Sequence, residues 1–359
     1  MSTSLRLLSE KPSDYDKAEL LHQCLFSAVA HSPHLLPEKF NGYLAYYQRE
    51  LEIAHPHKYA RALQHTWGPS VGRHADLLAC LVQVRRDQNA TREELVRRLK
   101  IQYAATDEDE LQRLLELSMR VGFFLNVRQH DGGGGGMLDS LKSFPIQWSP
   151  DTPLKELIGR QFPRSKWRLN ANESRLHPRF TAAFMVQVCS LVIDWTDSLA
   201  DHLYLDRQSN TLYLFPHKSC LAALLHHTDW TARKARHPST PISASLPKAV
   251  LHETVLSLNL LFPHWDRASN ELLKQHRQDF HCHPPYEGPR TLNLMEFDIW
   301  RDRLLELNDV VFTSPPASIR QLFLDRRSPQ QFWTFWIAIL ILFLTVVSTV
   351  ASVYQAVRS

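Results

Sequence analysis

Three aspartates and a histidine follow one another closely in the stretch I-D-W-T-D-S-L-A-D-H-L. On a helix, Asp194, Asp197 and Asp201 at spacings i, i+3 and i+7 share one face, and His202 lies beside the last of them. Clustered carboxylates next to an imidazole can hold a hard cation or transfer protons. Asp197, Asp201 and His202 are therefore the candidate catalytic residues.

The same stretch also fits a helix without a catalytic role. The carboxylates then form a solvated face, while Trp195, Leu199 and Leu203 form a stripe that packs into the core. In this interpretation His202, near the end of the helix, bonds to backbone carbonyl groups. Both interpretations stay open, and both place residues 194–203 on a helix.

A second group of metal-binding residue types occurs in H-R-Q-D-F-H-C-H-P-P. The candidate metal ligands are His276, His281, Cys282 and His283. Their alternation and the two prolines that follow match no closed zinc spacing such as C-x-x-C with H-x-x-x-H, so we predict no metal.

The motifs of the common enzyme classes are missing from the sequence. It contains no G-x-G-x-x-G, no P-loop and no G-x-S-x-G, and H-E-T-V-L from His252 lacks the second histidine of a zincin. We therefore predict no cofactor.

The elements that would position these residues are mainly helical. Near 203–215, L-Y-L-D and T-L-Y-L-F flank a polar turn and predict a β-hairpin, and a helix is predicted after Pro216. Between 74 and 160, three helices precede two short apolar segments that flank the run Gly132–Gly136. The second and third of these helices begin with Thr91-x-x-Glu94 and Thr106-x-x-Asp109, which are capping patterns. Three helices and a hairpin are typical of a winged helix.

The charges argue against a nucleic-acid partner for this winged-helix segment. Its third helix opens with four acidic residues, 107–110, which would repel phosphates in a DNA groove. The net charge of the chain is only +4. No nucleic acid is expected.

Composition indicates a folded body before the carboxyl end. Hydrophobic residues make up 44% and charged residues 22% of the chain, which is ordinary for globular proteins. We predict a mainly α protein with small β-hairpins (α+β), with an N-terminal helical segment at 1–73, a winged-helix domain at 74–160 and a helical domain at 161–327.

The last part of the sequence predicts one transmembrane helix at 332–354. No charged residue occurs from Ser328 to Val357, and 23 residues rise about 34 Å as a helix, enough for a hydrocarbon core of about 30 Å. Aromatic residues at both edges would anchor the helix in the membrane interfaces. These anchor residues are Phe332, Trp333, Trp336 and Tyr354.

The flanks of this helix predict its orientation and a self-association face. The N-terminal stretch lacks a signal peptide, and Arg326 and Arg327 precede the span, so we expect a tail-anchored protein with a cytosolic body. The endoplasmic reticulum is favoured over the mitochondrial outer membrane. A stripe of small hydroxyl residues would let two copies pack in lipid as a homo-oligomer. It consists of Thr345, Ser348, Thr349 and Ser352.

Four segments resemble an uncharacterised family of filamentous-fungal proteins. They are D-W-T-D-S-L-A-D-H-L-Y-L-D, L-Y-L-F-P-H-K-S-C-L, L-P-K-A-V-L-H-E-T-V-L-S-L-N-L-L-F-P and the ending from L-F-L-D-R-R-S-P-Q-Q-F-W-T-F-W onward, within residues 185–355. The family shares a W-T-x-x-L-A-D-H-L block and a single C-terminal transmembrane helix. The resemblance implies a fungal source and a mainly helical cytosolic body, and it implies no activity. The chain departs from the family at S-T-V-A-S-V-Y-Q-A-V, where a glycine and an acidic residue are expected.

Together these observations predict a tail-anchored, non-enzymatic interaction or adaptor protein. Its expected partners are membrane lipid, through the C-terminal helix, and proteins that the sequence does not identify. The alternative is a membrane-tethered enzyme that uses Asp197, Asp201 and His202.

Overall fold

Helices dominate the fold, which confirms the predicted mainly α class with a small β component. The structure is a computed structural model. It describes residues 11–25, 40–54, 73–128, 144–167, 170, 174–234, 246–278, 280, 290–312 and 329–358. In chain order, the helices in these ranges are α1 (Asp14–Leu25), α2 (Asn41–Ala54), α3 (His74–Arg86), α4 (Arg92–Gln102), α5 (Glu108–Phe123), α6 (Leu154–Gln161), α7 (Ala182–Cys189), α8 (Lys218–Lys234), α9 (Lys248–Leu261), α10 (Arg267–Gln275), α11 (Arg301–Phe312) and α12 (Pro329–Arg358).

Of the two predicted capping boxes, the one at α4 is confirmed and the one at α5 is not. At α4 the predicted capping box is present: Glu94 N donates to Thr91 Oγ1 at 3.2 Å, and Thr91 N donates to the Glu94 carboxylate at 3.1 Å. At α5 the box predicted from Thr106 was wrong. Asp107 is the cap and accepts from Glu108 N at 2.8 Å, because its carboxylate satisfies the first free N–H group directly.

The predicted three helices of the segment 74–160 are present as α3, α4 and α5. After α5, Val127 and Ile146 form an isolated parallel bridge. The glycine run between them lies outside the described residues, so the winged helix stays a prediction. The same holds for the domain boundaries near 73 and 160.

The small sheet follows α7 and includes a strand that the sequence did not predict. Its strands are β1 (Val192–Trp195), β2 (Tyr204–Asp206) and β3 (Thr211–Leu214), in the order β1-β3-β2. The predicted hairpin is confirmed, since β2 and β3 pair antiparallel. The helix predicted over 194–203 is wrong. That stretch begins in β1, which pairs parallel with β3, and then forms one 3-10 turn at Leu199–Asp201.

Alternating residues give the sheet one apolar face. Ile193 and Leu205 both pair with Leu212, and all three side chains are buried. This face packs into the body, because strand residues of one parity point to the same side. Pairing with β3 buries apolar residues from three separate segments. The free energy gained by this burial outweighs any preference for a helix that the spacing of the aspartates indicates.

One continuous hydrophobic core joins the elements from α1 to α11. Helix α5 lies at its centre, and Leu111, Leu114 and Phe123 are fully buried. Helix α3 approaches α5 closely at Gly122, where a Cβ atom would overlap the side chain of Leu81. None of the described side chains of α12 belongs to this core.

Candidate functional site

The three candidate catalytic residues lie close in the chain but have different partners. Asp197 occupies the turn after β1, Asp201 ends the 3-10 turn, and His202 immediately precedes Leu203 and β2. The hydrogen bonds of each residue lead to a different part of the body.

His202 is completely buried, and both of its ring nitrogens bond to protein groups. Phe215 N donates to Nδ1 at 3.2 Å, and Nε2 lies 2.7 Å from Ser257 Oγ. Ser257 Oγ donates in turn to Thr254 O at 2.8 Å. Since Nδ1 accepts and the serine proton is already used, Nε2 must carry the imidazole proton. The ring is therefore neutral and donates to Ser257.

The surroundings of His202 oppose its protonation. Burial, followed by the charge of Arg303, lowers the pKa of His202 to about 3. The ring also packs edge-on against Trp300, with the ring centroids 5.3 Å apart. Arg303 lies over the same tryptophan and donates to Ala200 O at 2.7 Å and to His202 O. At neutral pH the imidazole has no free nitrogen with which to accept a proton.

Asp201 is largely buried beside the same arginine. Its carboxylate accepts a hydrogen bond from Phe144 N at 3.1 Å. Burial raises the pKa of Asp201 to about 6, and the Phe144 hydrogen bond and the Arg303 charge only partly counteract this. Among the three residues, Asp201 is the one whose pKa lies close to the range useful for acid-base chemistry.

Asp197 belongs to a separate contact between the sheet and α2. Its carboxylate accepts from His217 Nε2 at 3.2 Å and forms an ion pair with Arg49. Burial raises the pKa of Asp197, but the His217 hydrogen bond and charge, together with Arg49, outweigh burial and leave the pKa lowered. The carboxylate therefore stays ionised near neutral pH and links α2 to the turn after β1.

Aromatic rings surround His217 and fix it against α2. Its ring centroid lies 5.2 Å from that of Phe215, 5.4 Å from that of Tyr46 and 6.0 Å from that of Phe124. Tyr46 in turn donates to Arg120 O at 2.9 Å. This arrangement holds the imidazole with Nε2 directed at Asp197, which suits a structural hydrogen bond.

The candidate metal ligands are only partly covered by the structure. His276 packs its ring against Trp195 at 5.8 Å between centroids. His281, Cys282 and His283 lie outside the described residues. Within the part of the chain that is described, no group of three or more His, Cys, Asp or Glu side chains is placed to hold a metal ion.

Helix α12 has the surface of a membrane span. Trp333–Val353 is long and apolar enough to cross a bilayer, and none of it is buried inside the protein. Trp333 is 64% exposed and Trp336 is 39% exposed, as anchors facing lipid would be. The side chains of the other two predicted anchors, Phe332 and Tyr354, lie outside the described set.

Three hydroxyl groups of the stripe on α12 bond to backbone carbonyl groups of their own helix. Thr345 Oγ1 donates to Ile341 O and Thr349 Oγ1 donates to Thr345 O, both at 2.8 Å. Ser352 Oγ donates to Ser348 O at 2.9 Å. These bonds let Thr345, Thr349 and Ser352 face lipid or a second helix with their hydroxyl groups paired.

No family model, curated protein or solved structure matches this chain. The resemblance to the filamentous-fungal family and the catalytic assignment of the Asp/His residues both stay predictions.

Sequence reasoning missed the residues that decide what the Asp/His residues do. They are Arg49, His217, Ser257 and Arg303. Arg49 is separated from Asp197 by 148 positions, and no local pattern connects them. A signal did exist for Ser257. It lies with Thr254 on the leucine-rich helix α9, and polar groups on such a helix require buried hydrogen-bond partners.

Proposed function

We propose that this protein is a membrane-anchored, non-enzymatic interaction protein whose body is held at a membrane surface by α12. The exposed apolar surface of α12 carries this proposal. Thirteen Leu, Ile, Val and Phe side chains lie between Phe332 and Tyr354. On the insertion scale they favour the bilayer by about 4 to 8 kcal/mol, before the smaller costs of the hydroxyl residues. A helix with no protein covering would leave this surface in water.

We also propose that the body faces the cytosol and that the membrane is that of the endoplasmic reticulum. The support is the basic pair Arg326 and Arg327 on the body side of the span, against the single Arg358 on the other side. Basic residues close to a span favour its cytosolic side. The motifs quoted above are the support for a filamentous-fungal family membership.

The non-enzymatic part of the proposal rests on the geometry around His202. A general base needs a nitrogen that can accept a proton from substrate, whereas both nitrogens here bond to Phe215 and Ser257. The carboxylate of Asp197 bonds to Arg49 and His217. The alternative, a membrane-tethered enzyme, would have to break these bonds in order to use these groups.

Two exposed tryptophans on the body support a role in binding proteins. Trp167 is 66% exposed and Trp265 is 60% exposed. Large aromatic side chains are enriched in protein interfaces, where they supply much of the binding energy.

Proximity labelling in cells tests the interaction role. A labelling enzyme is fused to the N-terminus of the full chain and, as a matched control, to residues 328–359 alone. We expect a set of proteins labelled by the full chain and not by the span, and we expect Trp167→Ala with Trp265→Ala to reduce that set. Identical labelling by the full chain and the span would contradict the interaction role.

A glycosylation acceptor tests the orientation. An N-x-T sequence on a short spacer is appended after Ser359, where only a lumenal position in the secretory system allows glycan transfer. We expect a glycan on this acceptor and protease sensitivity of the body in sealed microsomes. An unmodified acceptor on a membrane-integrated protein would refute the orientation or the organelle.

A further inference from the structure

A small cavity lies beside a group of buried charges near the end of α5. Its volume is about 240 Å³, and its walls include Arg92, Glu116, Arg128, Trp148 and Ser149. Arg92 comes from the start of α4 and Glu116 from α5. The other three belong to the two segments that meet at the isolated bridge between Val127 and Ile146. The cavity is independent of α12 and of the Asp/His residues.

Buried ion pairs lie beside this cavity. Arg120 Nε lies 2.6 Å from a Glu50 carboxylate oxygen, Arg128 Nη2 lies 3.4 Å from the same oxygen, and Arg92 Nη2 lies 3.7 Å from Glu116. These five side chains are between 6% and 16% exposed. Among the described side chains here, three guanidinium groups and two carboxylates lie in a poorly solvated place.

Arg128 is the group with hydrogen-bonding capacity to spare. Its Nε donates to Asn126 Oδ1 at 2.7 Å, and its Nη2 makes only the long contact with Glu50. Within the described residues, Nη1 donates to no acceptor, although arginine carries five N–H groups in a fixed fork. Burial, followed by the charge of Arg120, lowers the pKa of Arg128, so a nearby negative charge would be favourable.

We propose that this cavity binds a small oxyanion of the phosphate or carboxylate class, held chiefly by the guanidinium of Arg128. The fork of Arg128 matches the two oxygens of such a group, and charge-assisted hydrogen bonds of this kind are short and strong. Ligand pockets for drug-sized molecules occupy roughly 300–1,000 Å³. A cavity of about 240 Å³ therefore suits inorganic phosphate or the end of an acidic chain, and it is too small for a nucleotide.

Thermal unfolding of the full chain in non-ionic detergent tests this proposal, and the test needs no membrane. Inorganic phosphate and, in a separate arm, glutarate are compared with chloride at equal ionic strength. A ligand that binds only the folded chain raises Tm as its concentration exceeds Kd. We expect a saturable rise in Tm with at least one of the two probes, and the more effective probe distinguishes a phosphate from a carboxylate ligand.

Two variants show whether the rise comes from the cavity. Arg128→Gln should weaken binding at least about tenfold, because it removes the charge and the fork. The matched control is Arg97→Gln, which changes an exposed arginine paired with Glu93 on α4 and should leave the response unchanged. Ser149→Asp places a carboxylate in the cavity wall. It should raise Tm without any added anion and abolish the response to phosphate and glutarate.

Three results would overturn the proposal. One is a Tm that responds to neither probe beyond the chloride control. Another is an equal response in wild type and Arg128→Gln, which would locate binding elsewhere on the surface. If Arg128→Gln fails to fold, Ser149→Asp decides alone, and a wild-type response in that variant would contradict a site in the cavity.

Discussion

His202 Nε2 and Ser257 Oγ lie 2.7 Å apart, yet they do not form a nucleophile and base. The serine proton is directed at Thr254 O, and the Phe215 N–H group occupies the other ring nitrogen. In the hydrogen bond between them, His202 is therefore the donor and Ser257 the acceptor. Activation of a serine requires the opposite, a histidine nitrogen that accepts the serine proton. The pair joins the turn before β2 to α9 inside the core.

This structural role predicts a large loss of stability when the imidazole is removed. His202→Ala leaves Phe215 N and Ser257 Oγ buried without their partner and also creates a cavity. We expect the free energy of unfolding to fall by about 2 to 5 kcal/mol, measured by urea denaturation. His252→Ala, an exposed histidine on the same helix as Ser257, should change it by less than about 0.5 kcal/mol. Equal stability of the two variants would contradict the account of His202.

The pKa values of Asp201 and His202 predict opposite dependences of stability on pH. For Asp201 the folded pKa is about 6 against an ordinary 3.8, so the folded chain retains a proton that the unfolded chain has lost. Stability from this group falls as pH rises from about 4 to 6. For His202 the folded pKa is about 3 against 6.5, so its stability contribution is complete above about pH 6.5 and is lost as pH falls towards 3.

The variant Asp201→Asn tests whether these two pH dependences of stability oppose each other. In wild type the dependences from Asp201 and His202 largely cancel between about pH 4 and 6, and of these two the variant retains only that of His202. Its free energy of unfolding should therefore rise with pH more steeply than that of wild type, by up to about 1.4 kcal/mol per pH unit. Urea denaturation at several pH values in this window measures the two slopes. Parallel slopes would show that Asp201 titrates normally in the folded chain.

The buried ion pair between Glu50 and Arg120 tests the packing of α2 against α5. Glu50 and Arg120 are each 6% exposed, and the same carboxylate also lies near Arg128. Glu50→Ala leaves two buried guanidinium groups without their shared carboxylate and should lower the free energy of unfolding by about 3 to 5 kcal/mol. Glu52→Ala, on the exposed side of α2, should be nearly neutral. A neutral Glu50→Ala would contradict the buried network.

Larger side chains at the hydroxyl stripe test whether α12 self-associates. Ser348→Leu with Ser352→Leu prevents close approach of two helices, and we expect it to reduce chemically cross-linked dimer in membranes. Ser348→Ala with Ser352→Ala keeps the surface small and should retain the dimer. If the leucine variant cross-links as well as the alanine variant, the stripe faces lipid.

How much the sequence could predict depends on whether the signal is local. The hairpin around Leu205 and Leu212 was predictable, because alternating apolar residues and a polar turn lie within one short segment. Strand β1 was not, since V-I-D-W gains its partner only through parallel pairing with β3, and the aspartates after it imitate a helical face. The helical spacing was real, but tertiary pairing decided the outcome.

For the candidate site, too, local features were predictable and long-range contacts were not. Asp197, Asp201 and His202 were selected by residue type, and each does have a perturbed pKa. Their roles depend on Arg49 and Ser257, which come from other parts of the chain. A single sequence carries no signal for such long-range contacts, whereas the apolar run of α12 is a property of one segment and was predicted within a few residues.

Alkaline carbonate extraction tests the central claim, that α12 anchors the body in a membrane. The full chain is compared with a variant carrying Leu342→Arg, Val346→Arg and Val350→Arg, and with a control that has alanine at the same positions. Each central arginine costs about 2.5 to 3.5 kcal/mol, so three outweigh the apolar gain of the span. We predict that wild type and the alanine control remain in the membrane pellet and that the arginine variant is released. Extraction of the wild-type chain into the supernatant would contradict the account.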